Sequence, residues 1–186
     1  MRDLEVELTF PLLNPEALTA FLKDRATAER SDLSQKDTYY TPAHRNFIAA
    51  KPISDWLRIR ETPNGASVTF KHWHNKEDPE SVVADEYETS IGDADALHAV
   101  FRALDMQPIV TVEKHRSTWV YRGVEIAVDH VTDLGWYIEL EAKGDFPSVD
   151  AATKHLYAVL TELQADVGPQ DFKGYPHRLL EQSGKL

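Results

Sequence analysis

The chain of 186 residues contains no cysteine, which excludes disulfide bonds, zinc–thiolate sites and thiol catalysis. It has no apolar run approaching the roughly 20 residues of a membrane-spanning helix, and no apolar signal region near its start. Basic residues are in the minority, since 20 Lys and Arg face 31 Asp and Glu for a formal net charge of −11. Such a balance disfavours general binding to nucleic acid. We therefore predict a cytoplasmic protein without a nucleic-acid or membrane partner.

The composition is that of a folded protein. Hydrophobic residues make up 42% of the chain and four of them are tryptophans, which argues for a globular core over disorder. The length suits one domain, and no segment has the composition of a linker. We predict that residues 1–186 form a single domain.

Charged residues occupy every second position in several short segments. The pairs are Glu5 and Glu7, Arg58 and Arg60, and Glu139 and Glu141, each alternating with aliphatic residues. Because side chains alternate between the two faces of a strand, each pair points the same way from a sheet. Acids cluster on some strands and bases on others, which suggests a cavity that holds an anion together with a metal.

Eight segments are predicted to be strands and three to be helices. The strands lie at about residues 4–10, 36–40, 56–61, 66–72, 82–89, 110–119, 124–129 and 135–142. The helices begin at Asn14, at Asp93 and at about Val149, the last of them continuing to Val167 and ending at Gly168. The run at 72–79 is predicted to be a polar loop, and the tail at 172–186 to contain one further helical turn.

Two short segments mark turns between predicted strands. Pro63-Asn64-Gly65 and Arg122-Gly123 each separate two strand patterns, and the first is a strong hairpin signal. Eight strands with few interrupting helices indicate a closed or nearly closed antiparallel barrel of the α+β class with its helices packed outside. The charged faces would point inward and the aliphatic faces outward under the helices. Because buried unpaired charge costs several kcal/mol per group, such an interior must hold water, ions or a ligand.

These segments resemble the CYTH superfamily, the triphosphate tunnel metalloenzymes, and within it most closely the class IV adenylyl cyclases. The matching segments occur in the family's order: Glu5-Val6-Glu7-Leu8-Thr9, Asp37-Thr38-Tyr39-Tyr40, Leu57-Arg58-Ile59-Arg60, Thr69-Phe70-Lys71, Val112 to Ser117, Val128 to Gly135, and Ile138 to Glu141. Each motif alone is weak, but the ordered set covers nearly the whole chain.

The resemblance implies an eight-stranded tunnel, a substrate ending in a triphosphate, such as a nucleotide, and dependence on Mg²⁺ or Mn²⁺. The residues carried over as metal ligands are Glu5, Glu7, Asp129, Glu139 and Glu141, and those carried over as phosphate-binding residues are Arg58, Arg60, Lys71, Lys114 and Arg116. Of the metal ligands, Asp129, Glu139 and Glu141 are the predicted catalytic residues. Either Glu86 or Glu88 is expected to be a further tunnel acid. Class IV cyclases are dimeric as a family, which makes a homodimer compatible with this sequence, although nothing in it specifies an interface.

The sequence leaves three functions open. The first is an adenylate cyclase that converts ATP to cyclic AMP and pyrophosphate, and the second is a triphosphatase acting on inorganic triphosphate, a nucleoside triphosphate or thiamine triphosphate. The third is a triphosphate-binding module without turnover, because Thr9 stands where the family's first motif has a lysine. His72 and His74 share a face and form a candidate pair of transition-metal ligands, although an exposed pair without a third ligand is more often incidental.

Overall fold

The computed structural model describes residues 3–74 and 83–186, and within them the side chains of all but residues 3–5 and Arg30. Its eight strands form a closed antiparallel barrel in the order β1-β5-β4-β3-β2-β6-β7-β8, with β8 pairing back onto β1. The α+β fold with a tunnel and external helices is therefore confirmed.

The strands are β1 (Asp3–Pro11), β2 (Ala28–Pro42), β3 (Asp55–Thr62), β4 (Gly65–Trp73), β5 (Val83–Ile91), β6 (Met106–Tyr121), β7 (Val124–Val131) and β8 (Gly135–Ala142). The α-helices are α1 (Pro15–Arg25), α2 (Ala94–Ala103), α3 (Val149–Glu162) and α4 (Tyr175–Gln182), and one 3-10 turn lies at Phe47–Ala49. Both predicted turns are confirmed: Gly65 lies at φ 140°, and Arg122 and Gly123 are left-handed at 54° and 75°.

The outward aliphatic faces are covered as predicted. Ile126 and Ile138 are fully buried in a cluster with Leu22 of α1 and Leu156 of α3, and burying a side chain of this size contributes about 1.5–3 kcal/mol. The polarity of the barrel is thus inverted, because its apolar core lies between the outer wall and the helices. The interior is left for charged residues.

The C-terminal helix α4 covers one end of the barrel; helical structure in this tail was predicted, but α4 has eight residues and is longer than the single turn expected. Tyr175 and Leu180 of α4 pack with Val112, Val131 and Tyr137, which share strand parity with the inward-facing charged residues and close that end. Gly174 at φ 76° precedes the helix and lets the chain turn into it.

Other boundaries differ from the sequence prediction. Strand β2 begins at Ala28 instead of Lys36, because it pairs with the long strand β6 over its whole length. Helix α3 ends at Glu162 and not at Val167. Asn14 occupies the N-cap position of α1, but its side chain accepts a hydrogen bond from the backbone of Asp166 instead of capping the helix.

Of the polar loop predicted at 72–79, His72 and Trp73 belong to β4, which ends at Trp73, and residues 75–79 lie outside the described ones. No helix of the described chain combines the length and the apolarity needed to cross a membrane.

Candidate active site

The barrel encloses a polar cavity of about 250 Å³. Its lining consists of Glu7, Tyr39, Trp56, Arg58, Arg60, Thr69, Lys71, Trp73, Glu86, Glu88, Lys114, Arg116, Glu125, Glu139, Glu141 and residues 173–176. Of the ten residues carried over from the family, eight line this cavity. The side chain of Glu5 lies outside the described ones, and Asp129 is fully buried at the closed end of the barrel and does not line the cavity.

The charges of the lining are segregated around the ring. The four neighbouring strands β5, β1, β8 and β7 carry all the lining glutamates, and we call this wall the acidic half. The basic half comprises β4, β3, β2 and β6 and carries Lys71, Arg58, Arg60, Lys114 and Arg116. Both Glu86 and Glu88 line the cavity, which answers the question of which of them faces the tunnel.

Asp129 is the centre of a buried network at the closed end. Its carboxylate is fully buried and accepts hydrogen bonds from Lys114 Nζ at 3.1 Å, from Arg116 Nε at 2.7 Å and from the Tyr175 hydroxyl at 2.9 Å. Burial opposes its ionisation, but Arg116 and Lys114 outweigh that cost and hold the pKa of Asp129 well below its usual range. Arg116 also donates to Glu139. Asp129 therefore fixes the position of two phosphate-binding candidates.

Asp37 plays the same part for the arginines of β3. It accepts two parallel hydrogen bonds from Arg60, Nε at 2.7 Å and Nη2 at 2.6 Å, while Arg58 Nη1 lies 3.5 Å away. Burial again opposes ionisation, and Arg58 and Arg60 together keep the pKa of Asp37 low. A bidentate pair of this kind holds a guanidinium in one orientation.

In the acidic half, Glu7 and Glu141 lie directly opposite each other on β1 and β8, and Glu125 lies opposite Glu141 on β7. Glu7 accepts a hydrogen bond from Lys71 Nζ at 2.6 Å, which links the two halves. Burial raises the pKa of Glu141 against the effect of Lys143, and the charges of Glu7 and Glu125 raise it further. Negative charge is thus in excess on this wall.

The acidic half fits a divalent cation by its chemistry. Among the described residues, no three His, Asp or Glu side chains converge as a metal site. Glu7, Glu139 and Glu141 accept hydrogen bonds from Lys71, Arg116 and Lys143, respectively. All the donors are carboxylate oxygens, which Mg²⁺ and Mn²⁺ prefer. The pKa of Glu141 is raised mainly by burial and further by the charges of Glu7 and Glu125, and a bound divalent cation would oppose both effects.

Sequence reasoning missed several residues of the site. Asp37 was recognised only as part of a motif, and its role follows from its pairing with Arg60 across β2 and β3. Tyr175 and Lys173 come from the tail, where the only local signal is Pro176 at the start of a helix. Glu125 has the parity of the tunnel residues, but its place next to a turn argued against it.

Comparison with known proteins gives a consistent assignment. The CYTH domain model matches residues 3–175. A Methanocaldococcus jannaschii protein named a putative adenylate cyclase is 25% identical over 161 residues, which cover 86% of this chain and 89% of that protein. A Pyrococcus horikoshii protein of known structure is 26% identical with a TM-score of 0.78, covering 96% and 99% of the two chains.

A Hippeastrum protein described as a putative adenylyl cyclase with a dominant triphosphatase activity shares the fold. Its TM-score is 0.61 at 16% identity, and the match covers 98% of this chain and 97% of that one.

Proposed function

Because the chain belongs to the CYTH domain family, we propose that it is a divalent-metal-dependent enzyme acting on a triphosphate, with cyclisation of ATP as its reaction. The observation that carries this proposal is the division of the cavity into an acidic and a basic half. A metal–triphosphate complex has the complementary charges: its phosphates are negative and its metal ion is positive. Phosphoryl chemistry depends mainly on positioning and on neutralising charge.

In this proposal the basic half binds the phosphate groups. Arg58, Arg60, Lys71, Lys114 and Arg116 line one wall of the cavity and donate to phosphate oxygens, the arginines in pairs of parallel hydrogen bonds. Asp37 is hydrogen-bonded to Arg60 and Asp129 to Arg116. The two carboxylates orient these guanidiniums and so reduce the cost of ordering them when substrate binds.

The acidic half would hold the metal through Glu7, Glu139 and Glu141, with Glu5 as a predicted fourth ligand. When bound, Mg²⁺ or Mn²⁺ neutralises phosphate charge and lowers the pKa of an attacking hydroxyl or water. We retain Asp129 as a predicted metal and catalytic residue from the family resemblance, although its three hydrogen-bond donors favour the positioning role.

In the cyclase reaction, the ribose 3′-oxygen of ATP forms a bond to the α-phosphorus while the bond to the bridging oxygen of the pyrophosphate breaks. The hydroxyl proton passes to solvent water, and pyrophosphate leaves. No side chain has to act as a covalent nucleophile. The protein's part is to hold the phosphates in line and to exclude competing water.

A triphosphatase is the second candidate, favoured by the activity described for the Hippeastrum protein of the same fold. In this reaction water forms a bond to the terminal phosphorus while the bond to the bridging oxygen breaks, so that the diphosphate portion leaves and orthophosphate is formed. The same basic half serves both reactions. The third candidate, a binding module, rests on Thr9, which is buried on β1 opposite Glu139 and adds no cation to the cavity.

Product analysis tests these alternatives. The purified protein is incubated with ATP, and separately with inorganic triphosphate, in the presence of Mg²⁺ or Mn²⁺, and the products are separated by chromatography. Cyclic AMP with pyrophosphate supports the cyclase. Orthophosphate without a cyclic nucleotide identifies a triphosphatase, and metal-dependent binding without any product identifies a binding module.

The affinity for a metal–triphosphate complex is expected to fall as the pH rises above about 8. Burial, reinforced by Arg116, lowers the pKa of Lys114 to about 8, so the free site loses a cation over a range in which an ordinary lysine, with a pKa of about 10.4, stays charged. The dissociation constant should rise by up to about tenfold per pH unit. Calorimetric titration between about pH 7 and 9.5 measures this.

Lys114→Arg is the matched control, because a guanidinium stays protonated throughout this range. We expect its dissociation constant to be nearly flat with pH. An equal rise in the wild type and in Lys114→Arg would assign the effect to the ligand or the metal and contradict the role of Lys114.

The single-domain organisation, the cytoplasmic location, the absence of a nucleic-acid or membrane partner and a homodimeric assembly stay predictions.

A further inference from the structure

His72 and His74 lie outside the tunnel and have no part in the proposed reaction. Lys71 and Trp73 line the cavity, so the two histidines that alternate with them face outward from the barrel. His72 belongs to β4, and the backbone N–H of His74 continues the ladder by donating to Val83 at 3.0 Å. Both backbones are therefore held by the sheet.

Each histidine has an aspartate of a neighbouring strand beside one of its ring nitrogens. Nδ1 of His72 lies 2.6 Å from a carboxylate oxygen of Asp55 on β3, and Nε2 of His74 lies 3.2 Å from one of Asp85 on β5. The side chains of Asp55 and Asp85 are only 11% and 14% exposed, whereas those of the histidines are 37% and 44% exposed. The carboxylates thus form the inner layer and the imidazoles the outer one.

Each histidine keeps a second ring nitrogen that does not lie against its aspartate. When Nδ1 of His72 donates to Asp55, its Nε2 remains as an acceptor, and a proton on Nε2 of His74, the nitrogen 3.2 Å from Asp85, leaves Nδ1 of that ring as an acceptor. The two ring centres are 5.9 Å apart, and imidazoles on one tetrahedral zinc ion, with Zn–N bonds of about 2.0–2.1 Å, have centres about 5 Å apart. Binding of both rings to one ion therefore requires the ring centres to approach each other by roughly 1 Å.

We propose that His72 and His74 bind a transition-metal ion such as Zn²⁺ on the outer face of the barrel, with Asp55 and Asp85 fixing the two imidazoles and water completing the coordination. Ligating histidines commonly pass their other N–H to a carboxylate, which sets the tautomer and the ring orientation. Imidazole selects Zn²⁺, Cu²⁺ or Ni²⁺, whereas the all-carboxylate tunnel suits Mg²⁺ or Mn²⁺.

This site is independent of the tunnel chemistry, but it is mechanically connected to the tunnel. Trp73 lies between the two histidines in sequence and points into the cavity, where Lys71 Nζ lies 4.6 Å from the centre of its ring. An ion held by residues 72 and 74 would fix the end of β4 and, with it, the orientation of Trp73.

Calorimetric titration with Zn²⁺, in the presence of excess Mg²⁺ to occupy the tunnel carboxylates, tests the proposal. Wild-type protein should bind one Zn²⁺, and His72→Gln or His74→Gln should weaken binding at least tenfold. Asp85→Asn should weaken it by about 10–100-fold, since it removes only the orienting carboxylate. His155→Gln on α3, which replaces a histidine distant in the fold, should bind Zn²⁺ as the wild type does.

Chemical unfolding without zinc shows whether the variants are folded. The proposal is overturned if the wild type binds no Zn²⁺ under these conditions, or if the double variant His72→Gln/His74→Gln binds it with wild-type affinity. In the second case, loss of zinc binding in Glu141→Gln would place the ion in the tunnel instead.

Discussion

Replacing Asp129 by alanine is expected to lower the free energy of unfolding by about 3–5 kcal/mol at neutral pH. The carboxylate is fully buried among Lys114, Arg116 and Tyr175. Its removal leaves a buried lysine without its main partner and leaves Arg116 with Glu139 alone. Because an uncompensated buried charge costs far more than an exposed one, the loss should be among the largest for any single substitution in this chain. Urea unfolding without metal or substrate, followed by circular dichroism, measures it.

Asp32→Ala provides the control for Asp129→Ala. Asp32 also bonds to residues of β6, His115 and Ser117, but on the exposed outer face. Its removal should change the free energy of unfolding by no more than about 0.5 kcal/mol. If Asp129→Ala were as stable as the wild type or more stable, the main role of Asp129 would be to bind a metal, because removing an unneutralised carboxylate relieves repulsion in the metal-free protein.

Arg60→Ala and Glu139→Ala are each expected to reduce the rate of triphosphate turnover by at least about 100-fold. The two residues lie in opposite halves of the cavity, so the first removes a donor to the phosphates and the second a ligand of the proposed metal. Initial rates at saturating substrate and metal measure the effect. Glu139→Gln, which keeps the shape of the side chain, should be almost as inactive, since it is the charge that binds a cation.

Arg122→Ala is the matched control for these variants. Arg122 pairs with Glu162 on the exposed surface and does not line the cavity. It should retain wild-type activity. Full activity in both Arg60→Ala and Glu139→Ala, with unfolding curves like that of the wild type, would show that the tunnel is not the active site.

The inverted barrel was predictable because strand alternation is a local property. In β8, glutamates at 139 and 141 alternate with Ile138 and Leu140, and the observed strand, Gly135–Ala142, has the predicted bounds. The extension of β2 was not predictable. Residues 28–35 have no apolar alternation of their own and form a strand because β6 pairs with them, so tertiary pairing determines their conformation.

The ion pairs of the site could be predicted only in part, because they too depend on which strands are neighbours. Strand parity indicates that Arg60 and Arg116 face inward, but it does not show which acid neutralises each of them. Asp37 lies directly opposite Arg60, and Asp129 directly opposite Arg116, and these relations require the strand order. Tyr175 approaches Asp129 from a helix 46 residues further along the chain, which no local pattern could indicate.

The position of β1 between β5 and β8 has a consequence for how the ring assembles. During synthesis, β1 cannot pair with β8 until the chain beyond Gly135 has been made. Pairing two strands so far apart in sequence costs much chain entropy before their contacts compensate for it. The pairing of β1 with β8 places Glu7 directly opposite Glu141, and like charges in that position repel. A cation bound between Glu7 and Glu141 would therefore stabilise the pairing of β1 with β8, so that the ion proposed for chemistry would also stabilise the closed barrel.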